Sequence, residues 1–124
     1  MVIRAAAALA AICVFGAGIS ARAAGTDLEF FVGAGLYAEC TADAAQADGA
    51  ARRARCEGYI LGVSDVLQAE AGAGGAPMVC LPQNATASQM VDTVRGFLEA
   101  HAEKRQLAAQ DLVREALAAA YPCR

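Results

Sequence analysis

The chain has 124 residues, 57% hydrophobic side chains but only 6% aromatic, and a formal charge of −3. That length holds one domain at most, and alanine rather than large core side chains inflates the apolar fraction. The acidic balance argues against nucleic acid phosphates and anionic lipid as ligands, because like charges repel, and suits a cationic protein partner better.

The first two dozen residues read as a targeting segment. Met1-Val2-Ile3-Arg4 carries one positive charge, Ala5 to Ile19 carries none, and Ser20-Ala21-Arg22-Ala23-Ala24 closes the run with small residues. This is a positive n-region, an apolar h-region and an A-x-A cleavage site, with the cut expected after Ala23. An apolar run of about 15 residues is short of the roughly 20 that span a bilayer. Residues 1–23 are therefore expected to be a cleaved secretory signal, Cys13 to leave with it, and residues 24–124 to form a single exported domain with no membrane attachment. That domain carries eight basic side chains against thirteen acidic ones, a formal charge of −5.

Four of the five cysteines remain in it: Cys40, Cys56, Cys80 and Cys123. An even count in a small exported chain reads as two disulfides. There is no C-x-x-C spacing and His101 is the only histidine, so no metal site is expected. Four cysteines allow three connectivities, and the count alone does not choose among them.

The exported part opens on Thr26-Asp27-Leu28-Glu29, which has the form of a capping box. Leu28, Phe31, Val32, Leu36 and Tyr37 then recur at helical spacing, predicting a first helix that ends near Cys40. Thr41 to Gly49 is small and polar, a loop. Arg52, Arg53 and Arg55 open the second helix. They read as its solvated first turns rather than as a binding patch, with Asp43, Asp48 and Glu57 offsetting an unfavourable placement against the helix dipole.

This second helix is the element around which the others are expected to pack. Cys56, Ile60, Val63 and Leu67 mark one buried face, widened by Tyr59 and Val66. Gly58 and Gly62 lie four apart on roughly the opposite side, next to Asp65. Two glycines inside a helix cost roughly 1 kcal/mol each relative to alanine, a cost that a closely packed neighbouring helix can recover. A second buried face is therefore expected along the glycines. Asp65 there would be partly buried, against an arginine or helix N-terminus as a packing lock, or else against a partner protein.

Ala71-Gly72-Ala73-Gly74-Gly75-Ala76-Pro77 ends the helix. It lacks the G-K-[ST] and G-x-G-x-x-G patterns of phosphate-binding loops and reads as a flexible tether. Met78 to Pro82 is expected to be extended and pinned by Cys80. Thr86-Ala87-Ser88-Gln89 is a second capping box, and Met90, Val91, Val94, Phe97, Leu98 and His101 mark the inner face of a third helix. Leu112, Val113, Ala116, Leu117 and Ala120 mark a fourth, ended by Pro122. A single helix through both patterns would be about 52 Å long, far beyond a domain whose radius of gyration is roughly 13 Å, so a break is expected near residues 102–106.

Four helices with short links favour antiparallel neighbours. In the all-α, four-helix antiparallel bundle so predicted, the end of the first helix lies near the start of the second. The start of the third then lies near the end of the fourth. That order pairs Cys40 with Cys56 and Cys80 with Cys123. No catalytic set is assembled: His101 falls on an apolar face, the cysteines are paired, and Tyr59 reads as core. The protein is expected not to be an enzyme and to need no cofactor.

Four sets of residues together resemble the Tai-type amidase-immunity family of type VI secretion systems. These are Gly35-Leu36 before Cys40; Cys56-x-Gly58-Tyr59-Ile60-x-Gly62-Val63-x-Asp65; Cys80-x-Pro82 before Thr86-x-x-Gln89; and Leu112-Val113, Ala116-Leu117 and Pro122-Cys123. The resemblance implies a small helical periplasmic protein, often a homodimer, that binds a cognate peptidoglycan amidase effector and blocks it. Gly58, Tyr59, Ile60, Gly62 and Asp65 are scaffold in that resemblance, and the partner-binding residues are unknown. A periplasmic helical chaperone or stress protein is the alternative reading, distinguished by release at acid pH and by a spread of unrelated clients.

Overall fold

In the computed structural model, residues 32–75 and 78–123 are described. The expected signal over residues 1–23 and the Thr26–Glu29 capping box lie outside them. Among the described residues four α-helices follow one another: α1 (Gly33–Cys40), α2 (Gly49–Gly72), α3 (Ala87–Ala100) and α4 (Ala109–Ala120). Among these residues the single β-type contact is an isolated antiparallel bridge between Val32 and Ala108. The chain is all-α, as its periodicity predicts.

The third and fourth helices are separated where expected. α3 ends at Ala100, a 3-10 turn covers Ala102–Lys104, and α4 starts at Ala109. α3 opens on the predicted capping box: the Gln89 backbone N–H donates to Thr86 Oγ1 (3.3 Å), and the Thr86 N–H donates to Gln89 Oε1 (3.0 Å). α2 closes on a Schellman motif. The Gly75 N–H reaches the Glu70 carbonyl (3.2 Å) and the Gly74 N–H the Ala71 carbonyl (3.3 Å), with Gly74 at φ +92°. That left-handed conformation is the reason for glycine there.

Both disulfides form as the helix order predicts. Cys40 at the end of α1 is bonded to Cys56 in α2, with Cα atoms 5.1 Å apart. Cys80, ahead of α3, is bonded to Cys123, beyond α4, at 5.0 Å. The Cys80 N–H also donates to the Tyr121 carbonyl (2.9 Å), so the stretch before α3 is pinned twice.

One core runs through the bundle. Leu36, Ile60, Leu98, Leu112 and Leu117 are its large, fully buried side chains, with Val94, Val113 and Cys56 between them. Arg105 ties two helices, α3 and α1, together at one end. Its Nε donates to the Leu98 carbonyl (2.7 Å) at the close of α3, its guanidinium lies 3.7 Å over the Tyr37 ring of α1, and its own carbonyl accepts from the Ala34 N–H (2.7 Å). A planar cation that stacks and donates at once is what arginine, and not lysine, supplies.

Three expectations change. The buried face of α2 is rotated: Cys56, Ile60, Ser64 and Leu67 are buried, while Val63 is only partly buried and Val66 is 54% exposed. A serine can take the core position because its hydroxyl donates to the Ile60 carbonyl one turn back (2.8 Å) and needs no other partner. The arginines at the start of α2 are held by α1, not by Asp43, Asp48 or Glu57. Arg52 (3.3 Å) and Arg55 (2.9 Å) both engage the Glu39 carboxylate; Arg52 also donates to the Ala38 carbonyl (3.0 Å) and Arg53 to that of Ala42 (2.8 Å). They thus bind the carbonyl end of α1, where cations are favoured. His101 is the C-cap of α3 rather than part of its inner face. Its side chain is 39% exposed and bonded to Glu103.

Candidate interaction surface

The glycine pair of α2 does not face a neighbour. A Cβ built at Gly58 or at Gly62 would meet no atom within 4 Å, and Asp65 beside them is exposed. The expected second buried face of α2 is instead an open surface, and the expected packing lock at Asp65 is not made. The close approaches occur at other glycines. A Cβ at Gly49 would run into the backbone of Asp43 and Ala44, and one at Gly33 into Leu112 and the Arg105 backbone.

The open face of α2 borders a cleft of about 410 Å³ against α4. Gly58, Tyr59, Gly62, Val63, Val66 and Leu67 form one wall, and Gln110 and Arg114 the other. Val66 and Met78, both more than half exposed, make the rim and the continuation toward Ala118 apolar. Exposed apolar surface of this kind marks an interaction site more often than does a scattered leucine.

Two polar groups stand at the cleft. Tyr59 is partly buried and its hydroxyl meets the Gln110 backbone N–H at the start of α4. Burial, together with the nearby Asp111 carboxylate, pushes its phenol above the ordinary 10.0, and the Gln110 N–H partly opposes that. The Nε of Arg114 is buried with no hydrogen-bond partner. A buried unpaired donor is costly.

Of the motif residues, Gly58, Tyr59 and Gly62 line the cleft and Asp65 lies next to it, while Ile60 points the other way and is fully buried. The four cysteines are apart from the cleft, in the two disulfides. The cleft wall from α4, Gln110 and Arg114, was missed by the sequence reading. Both fall between the buried positions Ala109, Leu112, Val113 and Ala116, and that spacing is the signal that could have placed them on the outer flank. Among the described residues no group of three or more His, Cys, Asp or Glu could hold a metal. No helix there is long and apolar enough to cross a membrane. The surface offers shape, apolar area and charge for binding a macromolecule.

No curated protein and no solved structure matches the chain. The model of one family does, and its match runs over residues 32–123, from the bridge at Val32 to the last disulfide cysteine. By that match the chain belongs to the Rap1a immunity proteins.

Proposed function

We propose that the protein is exported to the periplasm and there neutralises a peptidoglycan amidase delivered by a type VI secretion system. The family match over residues 32–123 carries this reading. Immunity proteins bind cognate effector proteins, and the amidase class comes from the resemblance of the Cys56–Asp65 segment to Tai-type proteins. Export is supported by the charged, apolar and small-residue succession of residues 1–24 and by two disulfides, which persist in oxidising compartments. Inhibition needs only a tight complex that covers the amidase's site, so the protein acts by binding and not by chemistry of its own.

The test is capture from the producing cells, using the oxidised exported protein as bait and mass spectrometry of what stays bound. One amidase in stoichiometric amount is the expected result, and cells lacking the protein should then be lysed by that amidase in their periplasm. A spread of unrelated clients, growing at acid pH, would replace this reading with a chaperone. Equal survival of cells with and without the protein would end it.

A further inference from the structure

The chain ahead of α1 and the open cleft beside α2 stand in a relation that the immunity reading does not use. Val32 is extended (φ −105°, ψ 155°) and is the N-cap of α1, so the helix predicted from Leu28 onward is interrupted there. Its antiparallel bridge to Ala108 sets a direction. Each step back from Val32 is matched by a step forward from Ala108, toward Ala109 and Gln110. Gln110 is a wall of the α2–α4 cleft, and Arg114 stands one turn further along α4. The residues immediately before Val32 are Asp27-Leu28-Glu29-Phe30-Phe31. Five extended residues span about 16 Å, against about 9 Å of helix rise from Ala108 to Arg114.

We propose that residues 27–31 form an arm that lies in the α2–α4 cleft of its own chain. The cleft offers Val63 and Val66 as an apolar wall, and the arm brings Leu28, Phe30 and Phe31. In an extended segment alternate side chains share a side, so Leu28 and Phe30 meet that wall together and cover the exposed Val66. Charge matches as well. Arg114 is the one cation among the described residues lining the cleft, and its Nε is buried without a partner. Glu29 supplies a carboxylate to its guanidinium and the arm's backbone a carbonyl to Nε; the several donors of an arginine fork can take both. A partner binding at this surface has to displace the arm first.

The inference does not rest on the identity of the effector, since it is measured on the protein alone. In the oxidised, exported protein, nuclear Overhauser contacts should join the Phe30 or Phe31 ring to the Val63 or Val66 methyl groups. The amide hydrogens of residues 28–31 should exchange at least tenfold more slowly than in a free peptide of the same sequence. Val66→Asp removes apolar wall and sets a carboxylate against Glu29. It should return those amides to the free rate with an unchanged helical spectrum, because Val66 is exposed on α2. Glu29→Lys should do the same and also speed exchange of the Arg114 Nε–H. Glu99→Lys, the same charge change at an exposed position of α3, should alter neither. Free exchange of residues 28–31 in the wild type would overturn the proposal. So would protection that Val66→Asp and Glu29→Lys both leave intact, which would put the arm elsewhere. Ring-to-methyl contacts seen only between differently labelled copies would give the cleft to a second chain and overturn it equally.

Discussion

Ile60 and Ser64 stand one turn apart on the same buried face of α2, yet their side chains do different work. Ile60 fills the centre of the core, and replacing it with alanine removes buried methyl groups and leaves a cavity. A loss of about 2–5 kcal/mol is expected, measured by urea unfolding. Ser64 fills space with a hydroxyl that is already satisfied by its own helix; Ser64→Ala removes donor and demand together and should change stability by less than about 1 kcal/mol. Tyr59 adds a pH signature. Its phenol is raised above 10.0, first by burial and then by Asp111, so the folded state holds the proton more firmly than the unfolded chain. The stability this contributes is fully present below about pH 10 and is lost as pH rises through the raised value. The difference in unfolding free energy between wild type and Tyr59→Phe should therefore be constant near neutrality and shift in favour of phenylalanine above about pH 10.

Helix boundaries were legible because they rest on local chemistry. The Thr86–Gln89 box, the glycines after α2 and the polar Glu103–Gln106 interruption each act over one turn, and each ends or begins a helix where periodicity placed it. The buried line of Cys56, Ile60 and Leu67 on α2 was legible too; that the glycine side is open was not. A glycine has no side chain to report burial, so Gly58 and Gly62 are compatible with tight packing and with open surface alike. Asp65 took its expected burial from them, and Val63 was placed in the core by the four-three-four spacing of Cys56, Ile60, Val63 and Leu67. Both disulfides were legible, since helix order brings the paired ends together, whereas the grip of Arg52 and Arg55 on Glu39 is a long-range meeting without a sequence signature. The glycines of this one helix should consequently respond with opposite signs. Gly58→Ala and Gly62→Ala place a methyl in open space and should each raise the stability of the single chain by about 1 kcal/mol. Gly49→Ala drives a methyl into the Asp43 backbone and should lower it. Thermal melts of the three variants would show the contrast.

At the scale of the molecule, one small helical core leaves little margin. A domain of about 100 residues buries a modest share of its surface, so the covalent links matter more than in a larger protein. The two bridges close loops of 16 and 43 residues, for which chain entropy gives about 3 and about 4 kcal/mol. They differ in access as well as in loop length. Cys40 and Cys56 are 3% and 1% exposed, enclosed between α1 and α2, while Cys80 is exposed and Cys123 only partly buried. A thiolate must reach a sulfur to exchange with it. Limiting reductant under native conditions should therefore open Cys80–Cys123 first, and alkylation with peptide mapping should find label at those two cysteines while Cys40 and Cys56 remain bonded. The singly reduced chain keeps the α1–α2 clamp but loses the tie that holds the start of α3 to the end of α4. Its helices should persist, with a midpoint of thermal unfolding below that of the oxidised protein. Label appearing at all four cysteines together would mean instead that both bridges open only through global unfolding, making the bundle one cooperative unit from end to end.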